Sequence, residues 1–235
     1  MLYLKDYIQA SIEWRAKKSG HYKFDAGHNG PYYDLETSVR NTAHWLCCFA
    51  ELNFNGSFSH MNFCAHNAID YLMSEESRPM QASFFCRKNP EKDFCNGLIG
   101  QAWALEGLNA AGKEFGRDEA CALAREVFFL HPWLERQAIW RRVAVDGSYL
   151  APDGTFNHQL WFAAIASQLD DEEARRRALR FLDDVGQHVE LYRNGVVFHL
   201  SRLGPLANLA RGGVKSFVNG VMSEVLRVRA RSGLY

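Results

Sequence analysis

The sequence predicts an all-α protein, an (α/α) barrel or partial barrel of helical hairpins with short β-hairpins in its rim loops. Three observations lead there. Helical segments alternate between amphipathic and almost wholly apolar. The connections alternate between short and long. All three long loops therefore fall at one end of a hairpin stack, with the N-termini of the apolar helices. Loops beyond roughly 12–15 residues are uncommon and often functional.

Seven helical segments run at about 2–18, 36–52, 58–75, 96–111, 117–130, 156–169 and 171–186, with a weaker eighth at about 213–229. The first, fifth and seventh carry charge on one face. The seventh, "DDEEARRRALRFLDDVG", opens with acids and has a basic middle, as the dipole favours in a solvated helix. "NGLIGQAWALEGLNAAG" and "LWFAAIASQL" are apolar or small on nearly every side, which marks inner helices. The second helix is of the same kind and the third is intermediate. Strand signals are short: "ASFFCR", "RRVAVDG" and the Asn194-Gly195 hairpin of "VELYRNGVVFHL". A single toroid-like domain is expected over 1–235. A ring of six hairpins needs about twelve helices, so either it is a partial barrel, or the sequence is a fragment of a full one, or seven or eight helices is an undercount.

Composition excludes several classes. Apolar residues make up 47% of the 235 and charged residues 23%, enough for a large core. The 27 basic and 27 acidic side chains cancel, so no field draws nucleic acid or an anionic membrane. The basic run "LRVRARSGLY" is short and suits a helix C-terminus. No apolar stretch reaches the roughly 18 residues of a membrane span, and the start lacks the apolar core of a signal peptide. The six cysteines form no Cys-x-x-Cys pair, and the adjoining Cys47 and Cys48 read as small hydrophobes. A reducing cytoplasm is expected. No metal is expected either: His60 and His66 lack a metalloprotease spacing, and His21, Asp25 and His28 have no fourth ligand nearby. "GPLANLARGG" follows no strand-to-helix fingerprint, so no nucleotide cofactor is indicated.

Polar residues gather where the inner helices begin. Glu36, Arg40 and His44 share a face at i,i+4 spacing, with Asp34 and Asn41 beside them. They form a cap and a charge ladder, or a site in which Arg40 grips a carboxylate. Lys92, Asp93 and Asn96 precede the fourth helix; Asp153, Asn157, His158 and Gln159 open the sixth, with Thr155 as the expected N-cap. Asp146 and Asp153 both suit turns. Asp34, Asp93 and Asp153 thus lead into three successive inner helices, as repeated caps or as converging carboxylates. Tyr149, Trp45, Trp103, Trp140 and Trp161 either stack on a sugar or fill the core.

"GPYYDLETSVRNTAHWL" (30–46), "EKDFCNGLIGQAWALEGL" (91–108) and "DGTFNHQLWFAA" (153–164) resemble the six-hairpin toroid superfamily. That superfamily holds unsaturated-uronyl hydrolases, other glycoside hydrolases, sugar epimerases and polysaccharide lyases. The stretches are also similar to proteins found near polysaccharide-biosynthesis or protein-glycosylation genes. The resemblance implies an oligosaccharide or polysaccharide fragment as partner and leaves an oligomer open. The leading expectation is hydrolysis of a uronate-containing oligosaccharide, with Asp93 paired with Asp34 or Asp153 as acid and base. The alternative is a lyase or uronyl epimerase using His158, Asn157, Tyr149 and Arg40, since imidazole suits proton abstraction near neutral pH. Arg40, Asn41, His44, Asn96, Asn157, Gln159, Trp161 and Tyr149 are the expected binding residues. A noncatalytic oligosaccharide-binding or scaffold protein is the third reading.

Overall fold

The computed structural model describes residues 6–7, 10–11, 28–29, 33–52 and 59–187. The expected helices at 2–18 (all but a few residues) and 213–229, the Asn194-Gly195 hairpin, the basic run near the end, and His21 and Asp25 lie outside the described residues.

The described chain divides into two compact units. The first covers residues up to His131 together with Arg142–Leu150. It begins with a two-residue pair, β1 (His28–Asn29) against β2 (Asp34–Leu35), antiparallel with Asn29 opposite Asp34. Four helices follow: α1 (Val39–Leu52), α2 (Ser59–Met73), α3 (Gly97–Phe115) and α4 (Asp118–Leu130). α3 packs against the other three, and this explains its composition. Leu98, Ala102, Ala104, Leu105, Leu108 and Ala111 are all fully buried, so no polar face is left to show. Close approach is built in at Gly107, where a Cβ would lie 2.7 Å from the Ala43 carbonyl oxygen of α1.

Two local expectations change here. α1 starts at Val39, and Asp34 is a strand residue rather than its cap. Residues 36 and 37 are diverted from the helix by long-range bonds. Glu36 bridges Arg87, the Thr37 amide donates to the Cys86 carbonyl at 3.0 Å, and the Thr37 hydroxyl donates to the Phe85 carbonyl at 2.5 Å. The "ASFFCR" run forms that single bridge and no strand. Its Phe84 amide and carbonyl are met by the Gln101 side chain, which leaves no edge for a ladder.

The second unit covers Pro132–Arg141 and the chain from Ala151. β3 (Trp133–Leu134) pairs antiparallel with β4 (Ile139–Val143), Trp133 opposite Trp140. After β5 (Tyr149–Pro152) come α5 (Phe156–Gln168) and α6 (Glu172–Gln187), packed as a hairpin. The indole of Trp140 is fully buried, with ring centroids 4.7 Å from Trp133, 5.6 Å from Phe162 and 6.0 Å from Phe181. The Ala144–Ser148 turn between β4 and β5 belongs to the first unit. There Asp146 is a turn residue, accepting from the Ser148 hydroxyl and amide at 2.7 and 2.9 Å. Among the described residues no helix is long and apolar enough to cross a membrane.

Candidate active site

In the first unit each rim carboxylate is engaged. Asp34 accepts from the Lys92 ammonium and, at 2.9 Å, from the Asn89 amide. Those two bonds, the lysine first, hold its carboxyl below the usual range. Asp93 accepts the Gly97 amide at 2.9 Å, capping α3, and its other oxygen lies 3.1 Å from Arg87 and 3.3 Å from Arg142. Arg87 also donates to the Asp93 carbonyl at 2.5 Å and to the Asn96 side-chain oxygen at 3.0 Å. Asn96 is thus an anchoring residue, with its backbone left-handed at φ 55°. Glu36, its side chain 1% exposed, takes Nη1 of Arg40 on both oxygens at 3.1 and 3.4 Å. The Arg40 guanidinium lies 4.6 Å over the Trp103 ring, and His44 meets that ring edge-on at 5.8 Å. Asn41 is half-buried on the same helix, and Tyr149 is 62% exposed beyond the turn.

The Cys86 and Cys95 thiols are buried beside Asp93. Burial first, then the Asp93 charge, pushes the Cys95 thiol up to about 12, so neither is a ready nucleophile.

The second unit holds a different arrangement. One oxygen of Asp153 accepts the Thr155 amide at 3.0 Å, and the other lies 2.9 Å from Nδ1 of His158. Burial alone would raise the Asp153 carboxyl. The His158 bond and charge and the Thr155 bonds outweigh it and lower the carboxyl to about 2. An ionised carboxylate only accepts, so it fixes the proton on Nδ1 and leaves the Nε2 lone pair of a neutral His158 as a base. The imidazole is 25% exposed and Asp153 only 7%, so reagents reach the ring and not the acid. Thr155 occupies the N-cap position, with the His158 amide donating to its carbonyl at 3.1 Å, but its side chain makes no capping bond. Asn157 and Trp161 are half-buried on the same helix.

Gln159 does not serve as the ligand-facing group expected of it. It is 2% exposed, and its amide is consumed by backbone. Its oxygen accepts from the Trp140 amide at 2.8 Å, and its nitrogen donates to the carbonyls of Trp140 at 2.9 Å and Asp153 at 2.6 Å. Gln101 makes the same three bonds, from Phe84 N–H and to the carbonyls of Phe84 and Cys95, at 2.7, 3.0 and 2.9 Å. Sequence reasoning missed this pair, although a signal was present: Gln101-Ala102-Trp103 and Gln159-Leu160-Trp161 repeat one Gln-x-Trp pattern in two apolar helices. It also missed Arg87 and Arg142, whose roles depend on where separate loops meet.

No protein-family profile matches the chain. Over 177 residues it is 44% identical to archaeal glycosylation protein Q of Haloferax volcanii, an alignment covering 74% of this chain and 48% of that protein. The chain thus spans about half the length of the curated relative it matches. Among solved structures it is similar to cellobiose 2-epimerase from Spirochaeta thermophila, with TM-score 0.74, 17% identity, and 98% of this chain and 71% of that one covered. Cellobiose 2-epimerase from Bacillus thermoamylovorans gives TM-score 0.72 at 11% identity, covering 94% and 71% of the two chains. A sugar epimerase from a ruminal bacterium gives 0.63 at 12% identity, covering 97% and 71%. The fold is accordingly the mostly helical (α/α) toroid type of these proteins.

These likenesses correct the leading functional expectation. The similar solved proteins are sugar epimerases, not uronyl hydrolases. The carboxylates agree with that correction. Asp34 and Asp153 are held ionised, so neither is poised to hand a proton to a leaving oxygen, and Asp93 is ion-paired with Arg87 and Arg142.

Proposed function

We propose that the protein is a sugar epimerase or isomerase that moves a proton at the carbon next to a sugar carbonyl, with His158 as the base and Asp153 as its positioning residue. The observation that carries this reading is the 2.9 Å contact between Nδ1 of a part-exposed His158 and buried Asp153. The similarity in fold to cellobiose 2-epimerases and in sequence to a glycosylation protein supports a saccharide ligand.

In the proposed step Nε2 takes the proton from the carbon α to the open-chain carbonyl, and the electron pair of that C–H bond becomes the enediolate. The His158 imidazolium returning that proton to the neighbouring carbon gives the isomer; a solvent proton added to the opposite face of the original carbon, with His158 releasing its own to water, gives the epimer. Asp153 stabilises the imidazolium that forms in between, as a buried carboxylate does beside a catalytic histidine.

Incubating the chain in D2O with neutral aldoses, uronic acids and short oligosaccharides, followed by proton NMR, tests this. Deuterium entering at the carbon next to the carbonyl is the expected result. An unsaturated product would point to elimination instead. Absence of both, with binding intact, would leave the oligosaccharide-binding reading and end the catalytic one.

A further inference from the structure

Arg40 is held from two sides and presents a third. Its Nη1 is committed to both oxygens of Glu36, and its flat face rests on the Trp103 ring at 4.6 Å. Among the described residues no acceptor meets Nε or Nη2, and the side chain is 30% exposed. The intact Nε–Nη2 edge is one of the two forks by which a guanidinium grips a planar pair of oxygens. Because Glu36 and Trp103 already fix the ring plane, little rotamer freedom remains to be lost when a ligand docks. Glu36 is almost fully buried, which ties the arginine in place by the cost of leaving that carboxylate unpaired.

We infer that the Nε–Nη2 edge of Arg40 binds an anionic group, a carboxylate or a phosphate, on a saccharide. That the ligand is a saccharide rests on the function proposed above; the charge is the addition. Lysine could not replace this residue, since a point charge offers no parallel pair of donors.

Calorimetry on the whole chain tests it with glucuronate, glucose 1-phosphate and glucose. Both anions, or one of them, should bind at least about tenfold tighter than glucose at low salt, and the two arms separate carboxylate from phosphate. Glu36→Gln keeps an acceptor for Nη1 but removes the neutralising charge, so anion binding should tighten about threefold to tenfold. Arg40→Met with Glu36→Gln avoids a stranded buried charge and should lower anion affinity to that of glucose. Equal affinity for glucose and both anions, or anion binding that survives the double variant, would overturn the inference. His158→Ala separates the two ideas. Anion binding that persists in it without proton exchange in the wild type would end the epimerase reading alone. Exchange in the wild type without anion preference would end this one alone.

Discussion

The N-terminal turns of α3 and α5 share one device, a glutamine clamp, and differ in what surrounds it. In each a buried glutamine clamps the amide and carbonyl of a distant extended residue and the carbonyl of its own preceding loop. The residue before the clamp is Gly100 in α3 and His158 in α5. At Gly100 a Cβ would come 2.3 Å from the Cys95 carbonyl oxygen, so the loop lies flat on the helix and the place is filled by backbone. The equivalent residue of α5, His158, carries an imidazole that is 25% exposed. The preceding acids differ to match: Asp93 faces two arginines that never release a proton, while Asp153 faces a ring that can. In α3 the clamp sits beside a fixed ion-pair cluster; in α5 it sits beside an acid and a part-exposed imidazole.

That contrast can be broken from either side. The largest effect belongs to His158→Ala, expected to lower proton exchange about ten-thousandfold per folded molecule, with a modest fall in melting temperature because buried Asp153 loses its partner. Asp153→Asn comes next, at about a thousandfold. Its amide would donate to Nδ1 and move the imidazole proton to Nε2, the wrong tautomer for a base. Since Asp153 also accepts from Thr155, some stability goes with it, and activity per folded molecule is the quantity to measure.

Removing the clamps should affect both copies alike. Gln101→Ala and Gln159→Ala each strand three buried backbone groups and should cost about 3 kcal/mol in urea denaturation. Unequal costs, differing by more than about 2 kcal/mol, would show that the two turns are not energetic equivalents.

The smallest effect concerns pH. The Asp153 carboxyl falls from 3.8 to about 2 on folding, so its contribution is complete above 3.8 and is lost as pH drops toward 2. With screening at this part-exposed pair the loss is about 1–2 kcal/mol. A stability profile over that window should flatten in Asp153→Asn.

Local pattern carried the helices well. α3 and α5 are apolar all round because they are surrounded, and their expected starts at 96 and 156 lie within one residue of those observed. α1 was misjudged at its start because Glu36 and Thr37 answer to residues near 86, some fifty positions away, which no window on 36–52 contains. The same distinction divides the site. Asp153 and His158 are five apart on one turn, and their pairing follows from spacing. The place of Asp93 before its helix follows from local spacing, but its ion pair with Arg142 does not, because Arg142 reaches it across 49 positions.

The clamp has a consequence for anyone wishing to alter the protein. Gln101 and Gln159 each staple the far end of a short segment to the framework, while the acids at its near end, Asp93 and Asp153, bond to the residues that open the helix. The equivalent stretches run from the clamped carbonyl to the glutamine, Cys95–Gln101 and Asp153–Gln159, seven residues each. Transplanting Asp153–Gln159 onto Cys95–Gln101 would ask whether a histidine can be grafted into a turn that lacks one, with the glutamine and its clamped carbonyl kept in register.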